Sequence, residues 1–110
     1  MSVESIFAER VNNQLILRRD FLIKTDSKVL IVEDVITTGK SSLECLNLIK
    51  QYKSNFIGYS CIIDRTNKSS LIKEKIISQV KLKIDTFKSS DIPEKLKNIK
   101  PVKPGSRNLP

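Results

Sequence analysis

The chain has 110 residues, 39% of them hydrophobic and 29% charged, with a formal net charge of +8 and no histidine. That length supports at most one domain with a modest core, and the composition belongs to globular rather than disordered chains. No apolar run approaches the roughly 20 residues of a membrane-spanning helix, and any catalysis must do without an imidazole.

In chain order, the opening MSVESIFAER lacks the basic start and apolar stretch of a secretory leader, so a cytoplasmic location is expected. Residues 14–23, QLILRRDFLI, follow Asn12-Asn13 and suggest one arm of a β-ribbon after a tight turn. Residues 29–32, VLIV, form a continuous apolar run, as in a parallel strand covered on both faces. Two acids, Glu33 and Asp34, end that run, and a polar loop of Thr37, Thr38, Gly39, Lys40, Ser41 and Ser42 follows. Ser41 or Ser42 can cap the next helix, whose buried stripe is expected at Cys45, Leu48, Ile49 and Tyr52. Residues 56–63, FIGYSCII, make a second apolar strand that ends in Asp64-Arg65. Strand, helix and strand within about 35 residues form a βαβ unit.

Beyond it, residues 71–77 suggest a short helix. Val80, Leu82 and Ile84 alternate with Lys81, Lys83 and Asp85, the pattern of a half-exposed strand near an edge. Asp91 can cap a last short helix with Pro93 in its first turn, and VKPGSRNLP closes the chain as an irregular tail. The fold class is therefore α/β, in a single domain. It divides into a ribbon (1–27), a βαβ unit (28–66) and a carboxyl-terminal strand, helix and tail (67–110).

The charge excludes less than it suggests. Residues 71–110 carry ten Lys or Arg against four acids, which is +6 of the +8. These cations alternate with apolar residues or surround prolines, and aromatic residues for base stacking are scarce, so no nucleic-acid partner is expected. A solvated basic face explains them, and the same charge attracts small phosphate-bearing molecules. Cys45 and Cys61 sit in apolar patterns and read as reduced core residues.

Ligands of parallel sheets sit at the carboxyl ends of the strands. Glu33-Asp34 and Asp64-Arg65 each occupy such an end and should flank one crevice. The loop before the helix opens at the same edge, where the first helical N–H groups and the helix dipole stabilise a phosphate. Gly39 would allow close approach, and the acids suit ribose hydroxyls or water on a bound Mg²⁺. GKSS also ends the G-x-x-x-x-G-K-[ST] loop of nucleoside triphosphatases, but the leading glycine would fall at Asp34, whose carboxylate repels phosphate. A ligand-free polar corner between strand and helix is the plain alternative.

VLIVEDVITTGKSS resembles the 5-phosphoribosyl 1-diphosphate (PRPP) signature of type I phosphoribosyltransferases, which have a Rossmann-like fold. FAERVNNQLILRRDF, CIIDR and KPGSRNL narrow the resemblance to orotate phosphoribosyltransferases, over nearly all of this chain but only the carboxyl half of the family's enzyme. The resemblance implies that Glu33, Asp34, Val35, Ile36, Thr37, Thr38, Gly39, Lys40 and Ser41 bind PRPP. The acids would take the ribose hydroxyls, and residues 37–41 the 5-phosphate. It also implies that Thr37 and Arg65 touch orotate, a planar guanidinium being apt for a carboxylate. A surface ion pair of Arg65 with Asp64 is the alternative role.

Mg²⁺ would arrive on PRPP rather than on direct protein ligands. No catalytic residue can be named. Ribose 5-phosphate would pass to orotate with release of diphosphate, through positioning and electrostatics. Arg18 and Arg19 either meet diphosphate from a neighbouring subunit or are solvated strand residues. Asp20 stands where this branch of the family usually has glycine. The family's amino half, with its diphosphate loop and most of the orotate pocket, has no counterpart in these residues. The expectation is a truncated or split enzyme, inactive alone and needing a homodimer partner or a separate amino half. A vestigial or non-catalytic PRPP-binding module is the alternative.

Overall fold

The computed structural model describes residues 3–18 and 21–100. Strands β1 (Ala8–Val11) and β2 (Gln14–Leu17) form an antiparallel ribbon in which Val11 pairs with Gln14 and Ala8 with Leu17. Asn12 and Asn13 turn it with φ of 48° and 62°. Two left-handed residues in succession match the twist of the flanking strands, and asparagine tolerates them. The second arm is shorter than expected. It stops at Leu17, and Ile23 instead leaves the ribbon to join the core.

A parallel sheet of order β3-β4-β5 follows, built from β3 (Lys28–Ile36), β4 (Asn55–Asp64) and β5 (Ile76–Lys81). Helix α1 (Lys40–Lys50) connects β3 to β4. The register sets Ile31 opposite Tyr59 and Tyr59 opposite Ile76. Side chains alternate between faces along a strand. Ile31, Tyr59 and Cys61 are thus turned inward and share one core with Leu46 and Ile49 of α1. Their neighbours Val32, Ile62 and Ile77 face the other way and stay exposed.

Several expectations need correction. The helix buries Ser42, Leu46 and Ile49, while Cys45, Leu48 and Tyr52 are only half-buried. Gly39, not a serine, precedes the first helical residue, in a left-handed conformation of φ 80° and without a side-chain cap. Packing of α1 on the sheet sets the buried stripe off the apolar spacing. Residues 71–77 are not helical. The backbone of Leu71 donates to the Thr38 carbonyl at 2.9 Å, and β5 begins at Ile76, where β-branched residues add a third strand to β4. Asp91 lies in a 3₁₀ turn (Ser89–Asp91), and Pro93 precedes the short helix α2 (Glu94–Lys97). The expected edge strand is present, shifted towards the amino terminus.

The radius of gyration, 17.3 Å, exceeds the ~13 Å of a compact domain of this length. Among the described residues a helix covers one face of the sheet only, and most of those beyond β5 are exposed. No helix of the described residues is long and apolar enough to cross a membrane.

Candidate functional site

The carboxyl edge of the sheet gathers the residues singled out from the sequence. β3 runs on through Glu33 and Asp34 to Ile36, so the acids lie within the strand and the loop proper is residues 37–39. Ile36 pairs with Asp64, and the Arg65 N–H donates to the Ile36 carbonyl at 2.8 Å. Both acid-bearing strand ends therefore meet at one edge, as expected.

A small pocket of about 60 Å³ opens there, lined by Glu33, Val35, Ile36 and residues 37–42. The first three residues of α1 belong to its wall, and their N–H groups are those with no intrahelical carbonyl to reach. A positive dipole end and the Thr37, Thr38 and Ser41 hydroxyls make this wall a donor surface for an anion. Thr38 Oγ1 accepts the Lys40 N–H at 3.4 Å and holds the loop against the helix start.

Gly39 is required for two reasons. Its φ of 80° favours glycine, and an added Cβ would lie 2.5 Å from Ile72 Cγ1. Ile72 is buried above it, and the adjacent Leu71–Thr38 backbone bond straps the loop in place.

The two acids separate. Glu33 turns to the helix side, where the buried Ser42 hydroxyl donates to its Oε1 at 2.9 Å. Asp34 is exposed, accepts the Val35 N–H at 2.7 Å and does not line the pocket. Arg65 is half-buried, and its Nε lacks a hydrogen-bond partner among the described residues. Its alternative role as the Asp64 ion pair is not what the structure shows. Asp64 instead faces Lys81 at 3.3 Å and accepts the Thr66 N–H at 2.7 Å. Burial alone would raise the Asp64 carboxyl, but the bonds from Thr66 and the Lys81 ammonium outweigh it and hold the group below its ordinary value.

Arg18 is exposed and pairs with Glu9 along the ribbon, away from the pocket lining. Arg19 lies outside the described residues. Both thiols are free. Burial, then the Glu33 charge, pushes Cys45 up; burial also pushes Cys61 up, so both remain protonated core thiols. No group of three or more His, Cys, Asp or Glu among the described residues could hold a metal directly.

The sequence suggests Ser42 as a candidate helix cap rather than as the partner of Glu33, and Ile72 as part of a short helix. A serine on a helix's buried stripe breaks apolar periodicity, and its distance from Glu33 in sequence gives no signal. Ile72 looked like part of a helix because its contact with Gly39 is tertiary.

A parallel sheet with a glycine-centred loop and a helix start at its carboxyl edge defines an α/β class with an anion-receptive corner. The family model for the phosphoribosyl transferase domain matches residues 2–97, and the chain belongs to that family. Proteins named orotate phosphoribosyltransferase are its relatives: one from Methylorubrum extorquens is 40% identical over 111 residues, covering 100% of this chain and 57% of that protein. Its counterpart from Methylorubrum populi matches at the same 40% and the same coverage. One from Maricaulis maris is 34% identical, over 99% of this chain and 56% of that protein. The chain thus spans little more than half the length of these relatives, their carboxyl-terminal part.

Proposed function

We propose that this chain carries the PRPP-binding part of an orotate phosphoribosyltransferase of cytoplasmic pyrimidine nucleotide synthesis. The observation that carries this reading is the pocket lined by Glu33 and residues 35–42, which coincides with the PRPP-like signature and includes Ile36, whose carbonyl accepts the Arg65 N–H. The 5-phosphate would sit against residues 37–41, with Asp34 and Glu33 toward the ribose. Ser42 presets Glu33 for this by occupying one carboxylate oxygen. The unpartnered Arg65 Nε and the Thr37 hydroxyl suit the orotate carboxylate or a ring carbonyl, since an unpaired donor near such a group gains a charge-assisted bond.

The donor set fits Mg²⁺ carried on PRPP oxygens, with Asp34 able to hold one of its waters. Bound there, the ion would neutralise charge on the departing diphosphate. In the transfer, ribose C1 exchanges its bond to diphosphate oxygen for one to an orotate ring nitrogen. This chain's share is to hold the sugar phosphate and exclude misorientation.

A second reading, a PRPP-binding module without turnover, is favoured by the pocket's lining, which belongs wholly to the end of β3, the loop and the start of α1. In both readings the phosphate loop works. Titration calorimetry with Mg²⁺-PRPP should give weak saturable binding, lost in Gly39→Val and reduced about tenfold or more in Asp34→Asn, a change of about 1.4 kcal/mol. Equal heats for wild type and both variants would remove the assignment.

A further inference from the structure

We propose that residues 67–73 are a positioning segment that aims the Gly39 N–H at the bound phosphate, with Ile72 as the side chain that holds the aim. This inference rests on the phosphate reading of the loop given above. The segment begins just past the end of β4. Arg65 donates its N–H to the Ile36 carbonyl at 2.8 Å, and Leu71 donates to the Thr38 carbonyl at 2.9 Å. Two backbone bonds therefore bracket Thr37. Between them the chain folds on itself. The Ser70 N–H reaches the Asn67 carbonyl at 3.0 Å, and the Ser69 N–H reaches Asn67 Oδ1 at 2.9 Å. The Ile72 N–H reaches Oγ of the buried Ser70 at 3.2 Å. Such side-chain turns fix a short segment that has neither helix nor strand to hold it. Lys73 Nζ closes the far end on the Ser70 carbonyl at 3.1 Å.

The Leu71 bond also orients the next donor of the loop. In a trans peptide the carbonyl and the N–H point in opposite directions, and the described residues contain no cis bond. With the Thr38 carbonyl drawn towards the segment, the Gly39 N–H points the other way. No described residue accepts it. Gly39 and its neighbours line the pocket, whereas residues 67–73 do not. An unpaired N–H beside a helix start is suited to an anion. Ile72 keeps this peptide from turning over. Its side chain fills the space where a Cβ of residue 39 would lie, 2.5 Å from Cγ1 and 2.7 Å from Cδ1. The left-handed conformation of Gly39 is thus backed by packing from the segment.

The test is a titration of isotope-labelled wild type and variants with ribose 5-phosphate, followed by amide chemical shifts. In wild type the Gly39 amide proton should move downfield on saturation, as an N–H given to an anion does. Ile72→Ala should lower affinity about tenfold or more, the worth of one bond to a charged group. It should also shrink the Gly39 shift while those of Ser41 and Ser42 persist. Ile72→Val keeps the β-branch above Gly39 and should retain both affinity and shift. Ser70→Ala removes the acceptor of the Ile72 N–H and should act as Ile72→Ala does, to a smaller extent. It carries the test if circular dichroism shows Ile72→Ala unfolded. Ile23→Ala opens a cavity in the core outside the pocket's lining and should leave affinity and the Gly39 shift unchanged. Wild-type affinity in both Ile72→Ala and Ser70→Ala, or an equal loss in Ile23→Ala, would overturn the positioning role and leave the phosphate site in place. A wild type without saturable loop shifts would remove the phosphate reading, and this proposal with it.

Discussion

The two faces of the parallel sheet differ more than any other regions of the molecule. On the helix side, Ile31 is 4% exposed and Tyr59 fully buried; one residue along β3, Val32 is 70% exposed. The carboxyl edge belongs to the finished side, because α1 both covers that face and supplies the pocket's wall. The loop of residues 37–39, proposed to take the phosphate, is thus a local device, closed by its own strand, helix and the strap at residues 71–72. The outer face and the β3 edge are open. On the proposed reading, binding a sugar phosphate would draw only on the finished region, and transferring its ribose would draw on the open one as well.

The contrast is broken most directly by truncating neighbours on β3. Ile31→Ala should cost about 2–5 kcal/mol through lost burial and a cavity in the core. Val32→Ala should stay within about 0.5 kcal/mol in the isolated chain. Urea unfolding of both variants measures the difference; similar costs would mean that the outer face is buried in solution, by self-association or otherwise.

A smaller effect sharpens the description of the edge. The Asp64 carboxyl is held below its ordinary value in the folded chain, so its contribution is present above the unfolded value of about 3.9. It is lost as pH falls through the folded value. Stability should therefore fall more steeply below about pH 4 in wild type than in Asp64→Asn, the variant being less stable near neutrality. Lys81 is 71% exposed, so its ion pair with Asp64 contributes at most about 1 kcal/mol. The remainder comes from the Thr66 bond. Parallel acid limbs in the two proteins would count against that carboxylate network.

Much of this organisation was legible in the sequence. Run-on hydrophobicity in VLIV and FIGYSCII marked two parallel strands, and the terminal acids with TTGKSS marked the edge where a ligand would sit. What escaped has one cause: contacts between residues far apart in sequence. Ile72 against Gly39 replaced an expected helix by a strap and a third strand. Packing of α1 on the sheet, with Ser42 bonded to Glu33, placed the buried stripe on a serine. Composition made the basic carboxyl-terminal stretch visible, and its described lysines, from Lys73 to Lys100, are exposed, as a solvated face requires.

The claim that the loop is complete in this chain alone is tested most directly by an amide chemical-shift titration with ribose 5-phosphate, using the isotope-labelled chain and its Ser42→Ala variant. The account predicts saturable shifts concentrated at residues 37–42 and Arg65, with affinity lower in Ser42→Ala because Glu33 loses its anchoring donor. Shifts spread over the basic residues beyond β5, or none in the loop, would contradict it.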